Sequence, residues 1–211
     1  MTANTAERSL SFAEELHEQR WDDHRYYHRS YVNQTLHLIS ACCFLTTYVL
    51  LPIDPVAGAL FGWVIAMWPR QIGHVFFEPR SYDDINQATF AHKEAIKVGF
   101  NLRRKLALFI AWLAVPLVLV LSPTWFGVFP AWTDRPSYLH SLGLLWLVLG
   151  GAGLVARTLW LCATRSVQTG AAWFSKILTD PFHDVMMYHR APLHLLRGEW
   201  LDPMHDVQTR R

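Results

Sequence analysis

Charged residues are absent from four stretches of this chain and crowded into the segments between them. Residues 36–51 read LHLISACCFLTTYVLL, and residues 56–68 form a second apolar run just after the turn-like Pro52-Ile53-Asp54-Pro55. Residues 106–121 read LALFIAWLAVPLVLVL, and residues 139–156 read LHSLGLLWLVLGGAGLVA, running on past Arg157 toward Cys162. A helix that crosses a bilayer needs roughly 20 mostly apolar residues, with about 17 as the lower bound. The third and fourth stretches meet that length once their flanks are counted. The first two are short and predict a tight helical hairpin that tilts, thins the bilayer or stops part-way across. The expected fold is all-α, an integral membrane helical bundle with about four transmembrane helices. A soluble bundle is the alternative, disfavoured because uncharged runs of this length rarely pack in water.

The flanks divide the chain into three parts. Residues 1–35 are polar, with Leu10, Ala13, Leu16, Trp21 and Tyr27 falling toward one side, which predicts an amphipathic helix on the membrane surface. Residues 36–163 form the membrane domain, with a polar connection over 70–105 expected to be helical over 85–100. Pro116 is expected to kink the third span, and Gly150, Gly151 and Gly153 to let a neighbouring helix approach the fourth. Residues 164–211 read as a tail punctuated by prolines.

Charge sets an expected orientation. Arg8, Arg20, Arg25 and Arg29 precede the first span. Arg70, Arg80, Lys93, Lys97, Arg103, Arg104 and Lys105 fill the middle connection, and Arg157, Arg165, Lys176, Arg190, Arg197, Arg210 and Arg211 lie at or beyond the end of the fourth. The connection between the third and fourth spans has only Arg135. The positive-inside rule then puts both termini and the middle connection on the cytoplasmic side, as an even number of spans requires. The first thirty-five residues, with Glu7, Glu14, Glu15 and Glu18, hold no cleavable leader, so the first span is expected to act as its own insertion signal. A bacterial inner membrane and an endoplasmic reticulum membrane fit equally. Cys42, Cys43 and Cys162 lie in apolar segments with no CxxC pattern, and the basic residues are accounted for by topology, so no nucleic-acid partner is expected.

That orientation sorts the eleven histidines. His17, His24, His28, His37, His74, His92, His183, His189, His194 and His205 fall on or near the cytoplasmic side, and His140 alone at the opposite face. Imidazole is the commonest metal ligand and suits iron, zinc or copper. His28, Asn33 and His37 form H-x4-N-x3-H running into the first span, with Asn33 and His37 one helical turn apart on one face. His74 follows the second span in IGHVFFE, with Glu78 one turn on. A short hairpin makes the helix ends carrying His37 and His74 neighbours at one depth, and ionisable groups at the bilayer boundary are expensive without partners. Glu78 can bind a metal itself or orient His74. His183 stands in DPFHD between Asp180 and Asp184. His92 reads as a solvated helix residue, His189 and His194 as interfacial, and His17, His140 and His205 carry no assigned chemistry.

YYHRSYVNQTLHLIS together with RQIGHVFFEPR resembles the membrane-bound 2-hydroxy fatty acid dioxygenase family over roughly residues 24–105. His28, Asn33, His37, Gly73, His74 and Glu78 match its YH-x4-N-x3-H and GH-x3-E segments. The chain departs from that pattern after Glu78, where Pro79-Arg80-Ser81-Tyr82-Asp83-Asp84 replaces a basic stretch with Pro-Ala, and in its long segment after the fourth span. The resemblance implies ferrous iron, molecular oxygen, and shortening of a 2-hydroxy fatty acid by one carbon, as in fatty acid α-oxidation. It implies His28, His37 and His74 as ligands and catalytic residues, with His183 or Glu78 as a fourth. Asn33 would assist a ligand or donate a hydrogen bond to substrate, and Arg80 would pair with the substrate carboxylate. The acyl chain would lie along the first two spans beside Phe76 and Phe77.

Three other classes fit parts of the pattern. A di-iron fatty acid hydroxylase or desaturase also gathers cytoplasmic histidines, but such enzymes carry HxxHH boxes and this chain has no adjacent His-His pair. A non-enzymatic lipid-binding or scaffold protein would use the histidines as interfacial hydrogen-bonders. A metal transporter lacks support, because the third and fourth spans hold no acidic residue or histidine deep in the bilayer to carry an ion through. Substrate chain length, the fate of the removed carbon and the oligomeric state are not encoded in any motif.

Overall fold

The computed structural model describes residues 10–99 and 101–205; Glu7, Arg8, Phe100, Arg210 and Arg211, which entered the sequence reading, lie outside them. Every regular element among the described residues is helical, apart from two isolated bridges. The elements are α1 (Phe12–Tyr27), α2 (Tyr31–Leu50), α3 (Pro55–Phe61), a π turn (Gly62–Ala66), α4 (Met67–Phe76), α5 (Phe90–Ile96), α6 (Leu102–Leu121), α7 (Arg135–Thr164), α8 (Val167–Tyr188) and α9 (Ala191–Leu196).

Side chains at the starts explain where the helices begin. Ser11 and Asp134 close capping boxes on α1 and α7, and Asp54, Thr89, Asn101 and Ser166 accept from the first turns of α3, α5, α6 and α8. Each satisfies amide donors that the helix itself cannot. The predicted helix over 85–100 is shorter, because Asp83 and Ala88 exchange backbone hydrogen bonds in a tight turn ahead of the Thr89 cap.

Two helices, α6 and α7, are long and apolar enough to cross a membrane. They share a core of Trp112, Val115, Leu119, Leu142, Leu145 and Trp146, yet only 17% and 28% of their apolar windows are buried within the protein. A soluble core helix would be covered; these expose Ile110, Leu117, Leu121, Val148, Leu159 and Trp160. Pro116 sits inside α6 as expected. Its missing N–H leaves the Trp112 carbonyl without the usual helical donor, and Trp146 Nε1 donates to that carbonyl at 3.4 Å.

The shorter hairpin is also present. The α3, π and α4 segments run on as one helix antiparallel to α2, and Ser40 Oγ donates to the Ala66 carbonyl at 2.7 Å, satisfying an oxygen at the irregular turn. The expected surface helix and the expected tail differ from the structure. Rather than lying free, α1 packs against α8, and α8 in turn packs along α2 and α7. Tyr48 Oη donates to the Leu178 carbonyl near one end of α2, while Tyr188 reaches His28 at the other. Beyond α9 the chain folds back, and the Tyr31 and Asp202 amides donate to the carbonyls of Trp200 and Arg29.

The glycines of α7 divide by contact. A β-carbon on Gly150 would stand 2.7 Å from the Trp63 ring, and one on Gly143 would meet Val56 at 2.8 Å. Gly151 and Gly153, also expected at a helix contact, face open space. Gly143 and Gly150 lie two turns apart, so the close face of α7 runs along those two positions. Gly150→Val is therefore expected to cost about 1–3 kcal/mol and to lower the melting temperature in detergent. Gly151→Ala and Gly153→Ala should leave it unchanged; equal effects at all three positions would contradict this packing.

Candidate metal centre

The corner between α1 and α2 is built by two amides. Asn33 Nδ2 donates to the Tyr27 carbonyl and Gln34 Nε2 to the His28 carbonyl, each at 2.8 Å, so the first turn of α2 reaches back and fixes the residue that joins the helices. His28 is that residue. His37 follows Asn33 by one turn of α2, and His74 comes from α4. Gly73 allows the two helices to meet here: a β-carbon would stand 2.2 Å from Asn33 Oδ1 and 3.5 Å from the His37 ring.

These contacts converge three imidazoles. Ring centroids are 4.1 Å apart for His28 and His37, 4.8 Å for His37 and His74, and 5.5 Å for His28 and His74. One donor atom from each lies within 4.8 Å of the others, and all three side chains are buried.

Two of the rings have a hydrogen-bonding group on Nδ1, and a carboxylate stands farther from the third. Glu78 Oε2 lies 2.8 Å from His74 Nδ1, Tyr188 Oη 3.0 Å from His28 Nδ1, and Asp184 Oδ2 3.6 Å from His37 Nδ1. A carboxylate accepts, so the neutral His74 ring carries its proton on Nδ1 and keeps the lone pair on Nε2. Nε2 of His28 and both ring nitrogens of His37 are buried without a hydrogen-bond partner. Buried unpaired polar atoms cost about 1–3 kcal/mol each. Several such atoms converging at one place fit a shared cation, and outer groups on Nδ1 are how metal-binding histidines are oriented. The donor set suits zinc, copper, iron or nickel.

The electrostatics favour neutral, ligand-ready rings. Burial, then the neighbouring His37, holds His28 well below the usual imidazole range; burial, then the Lys105 ammonium, does the same to His74. Asp184 is committed to Arg70, whose Nη2 donates to it at 2.5 Å, so its charge does little to favour a protonated ring. Glu78 Oε2 is also 4.0 Å from Lys105 Nζ.

His28, His37, His74 and Glu78 thus come together as the sequence predicted, with Glu78 as the orienting group rather than a member of the three-donor set. The other predicted site residues do not. His183 lies outside the group: it is on α8 one residue before Asp184, and the α8 face turned to the centre is that of Asp184 and Tyr188. Arg80 is exposed and donates to the Val75 carbonyl at 2.6 Å. Asn33 is fully buried, and its amide nitrogen donates to the Tyr27 carbonyl and so holds the corner. Asp184, Tyr188, Arg70 and Lys105 were missed. A signal existed for two of them: Lys176, Asp180, Asp184 and Tyr188 recur every four residues, a polar stripe on one helix face.

Compared with known proteins, the chain matches no family model, no curated protein and no solved structure.

Two outcomes follow from this geometry. Gly73→Ala pushes α4 away from Asn33 and should reduce bound metal as strongly as His74→Ala, read by elemental analysis of folded protein; full occupancy would mean the helices do not need this approach. Unfolded, His28 and His74 take up protons below about pH 6.5, whereas in the fold they stay neutral. The unfolded state then binds more protons, so stability is lost as the pH falls through 6.5. Metal-free protein should melt at a lower temperature at about pH 5.5 than at about pH 7.5, and a flat profile between them would sink the claim.

Proposed function

We propose that the protein is a membrane-bound, ferrous-iron-dependent dioxygenase that shortens 2-hydroxy fatty acids by one carbon. The observation carrying this assignment is the buried convergence of His28, His37 and His74, the three histidines of the two motif segments, with Glu78 on His74. Iron bound by these imidazoles would supply oxygen activation and a chelation point for a carboxylate with an adjacent hydroxyl. The protein's own groups do the rest. Glu78 holds His74 in the tautomer that offers Nε2, Tyr188 holds the His28 ring through its Nδ1 atom, and burial limits water around the three rings.

The location suits a lipid substrate. Lys105 stands in the first turn of α6, and the surface beyond it is apolar, as is that of Phe76 and Phe77 beside His74. In this proposal α6 and α7 cross the bilayer, and α2 with the α3–α4 helix enters part-way as a shorter hairpin. Both termini and the metal centre then face the cytoplasm, as the excess of basic residues there supports.

Anaerobic purification with elemental analysis, followed by oxygen uptake with 2-hydroxypalmitate, tests the assignment. About one iron per chain and uptake abolished by His37→Ala are expected. Two irons per chain would favour a di-iron hydroxylase, and stoichiometric iron without uptake would remove the proposed reaction.

A further inference from the structure

No charged residue stands between Leu106 and Thr133, so the uncharged stretch runs twelve residues past the end of α6. From Lys105 to Leu121 that helix rises about 24 Å, short of a hydrocarbon core of roughly 30 Å. Its partner α7 rises about 33 Å between Arg135 and Arg157, enough to cross. Residues 122–133, the uncharged connection between the two, are the part of the hairpin left to make up the difference.

The backbone of this connection is strained and internally bonded. Trp125, Phe126 and Gly127 have φ of 46°, 57° and 88° in succession. The left-handed region is costly for a bulky side chain and persists only where the surroundings enforce it. Hydrogen bonds enforce it here. The Trp125 amide donates to the Ser122 carbonyl, the Phe126 amide to Ser122 Oγ, and the Gly127 amide to Thr124 Oγ1. The Val128 and Phe129 amides donate to the carbonyls of Trp125 and Thr124. Five consecutive amides are thus satisfied inside the turn. Water would serve them without strain in a loop that faced solvent, whereas hydrocarbon offers them no partner.

The side chains divide in the same sense. Trp125, Phe129 and Trp132 pack on the α6–α7 core, and Trp132 Nε1 donates to the Leu119 carbonyl at 3.0 Å, near the end of α6. Phe126 and Val128 stand outside, 79% and 68% exposed, and Leu121, the last residue of α6, is 84% exposed. We propose that residues 122–133 form a closed aromatic cap immersed in the leaflet opposite the metal centre, with Phe126 and Val128 against lipid acyl chains. The cap rests on α6 and α7 crossing the bilayer, and on neither the metal nor the reaction.

The test uses the full chain in phosphatidylcholine nanodiscs, with trifluoromethyl-phenylalanine placed singly at Phe126, at Ile110 in mid-α6, or at Arg135, and read by fluorine NMR. A water-soluble nickel chelate should broaden the signal at Arg135, and that broadening should be lost at both Phe126 and Ile110. Dissolved oxygen, which concentrates among acyl chains, should act in the opposite order. Nickel broadening at Phe126 with Ile110 protected overturns the cap and leaves the spans standing. Broadening at Ile110 as well removes the crossing of α6 itself, and the cap with it. Phe126→Asn supplies an independent sign. Asparagine tolerates positive φ better than phenylalanine, so in a water-facing turn the substitution should raise the melting temperature. In an immersed turn it should lower it, because an amide side chain then enters hydrocarbon. A rise, or no change, overturns the proposal.

Discussion

The close approach of α2 to α4 at Gly73 is the contact on which the centre depends. Asn33 occupies the space that a β-carbon on Gly73 would need, and the same Asn33 holds the end of α1 through Tyr27. One buried amide therefore sets two distances at once, from His37 to His74 across the helices and from His28 to both at the corner. A glycine in a helix interior costs about 1 kcal/mol relative to alanine. It is retained where backbones must nearly touch, and here the approach brings metal-ligand side chains within reach of one another.

The helix that follows the apolar pair completes the site. Along α8, Lys176, Asp180, Asp184 and Tyr188 form a buried polar stripe turned toward α1, α2 and α4. Isolated charges in such a place would be very costly, so each is paired: Lys176 with Asp23 and Asp180, Asp184 with Arg70. These pairings commit the charge of Asp184 to Arg70 and leave Tyr188 as an uncharged partner for His28. The result is a buried set of three imidazoles, two of them held through Nδ1 by Glu78 and Tyr188. A centre of that kind could hold a metal ion, and it lies in a fold whose α6 and α7 are long and apolar enough to cross a membrane.

Much of this was written in local pattern. Uncharged stretches identified the helices, and two of them keep in the fold the length and exposed apolar surface expected of spans. The histidines of H-x4-N-x3-H and GH-x3-E could be paired because helical periodicity and a short hairpin leave few arrangements for them. Spacing and connectivity bring the helix ends carrying His37 and His74 to one depth, and the Gly73–Asn33 contact closes the remaining distance.

What local pattern could not decide was everything that depended on partners remote in sequence. His183 and Asp184 are adjacent, and only the rotation of α8 against α2 turns Asp184 toward His37 and leaves His183 outside. Arg80 was the basic residue nearest in sequence to Glu78, yet it folds back onto Val75, while Lys105, 27 positions away, returns to Glu78 when α6 begins. Proline-punctuated residues 164–211 read as a tail because no apolar run marks them, and burial of their charged stripe becomes affordable only once opposite charges on α1 and α4 are in place. Sequence by itself determined the apolar helices before residue 164 and singled out the three histidines, since these follow from short-range pattern. The tertiary structure decided which carboxylates, lysines and tyrosine surround them, because pairing a buried charge requires a partner that only folding brings near.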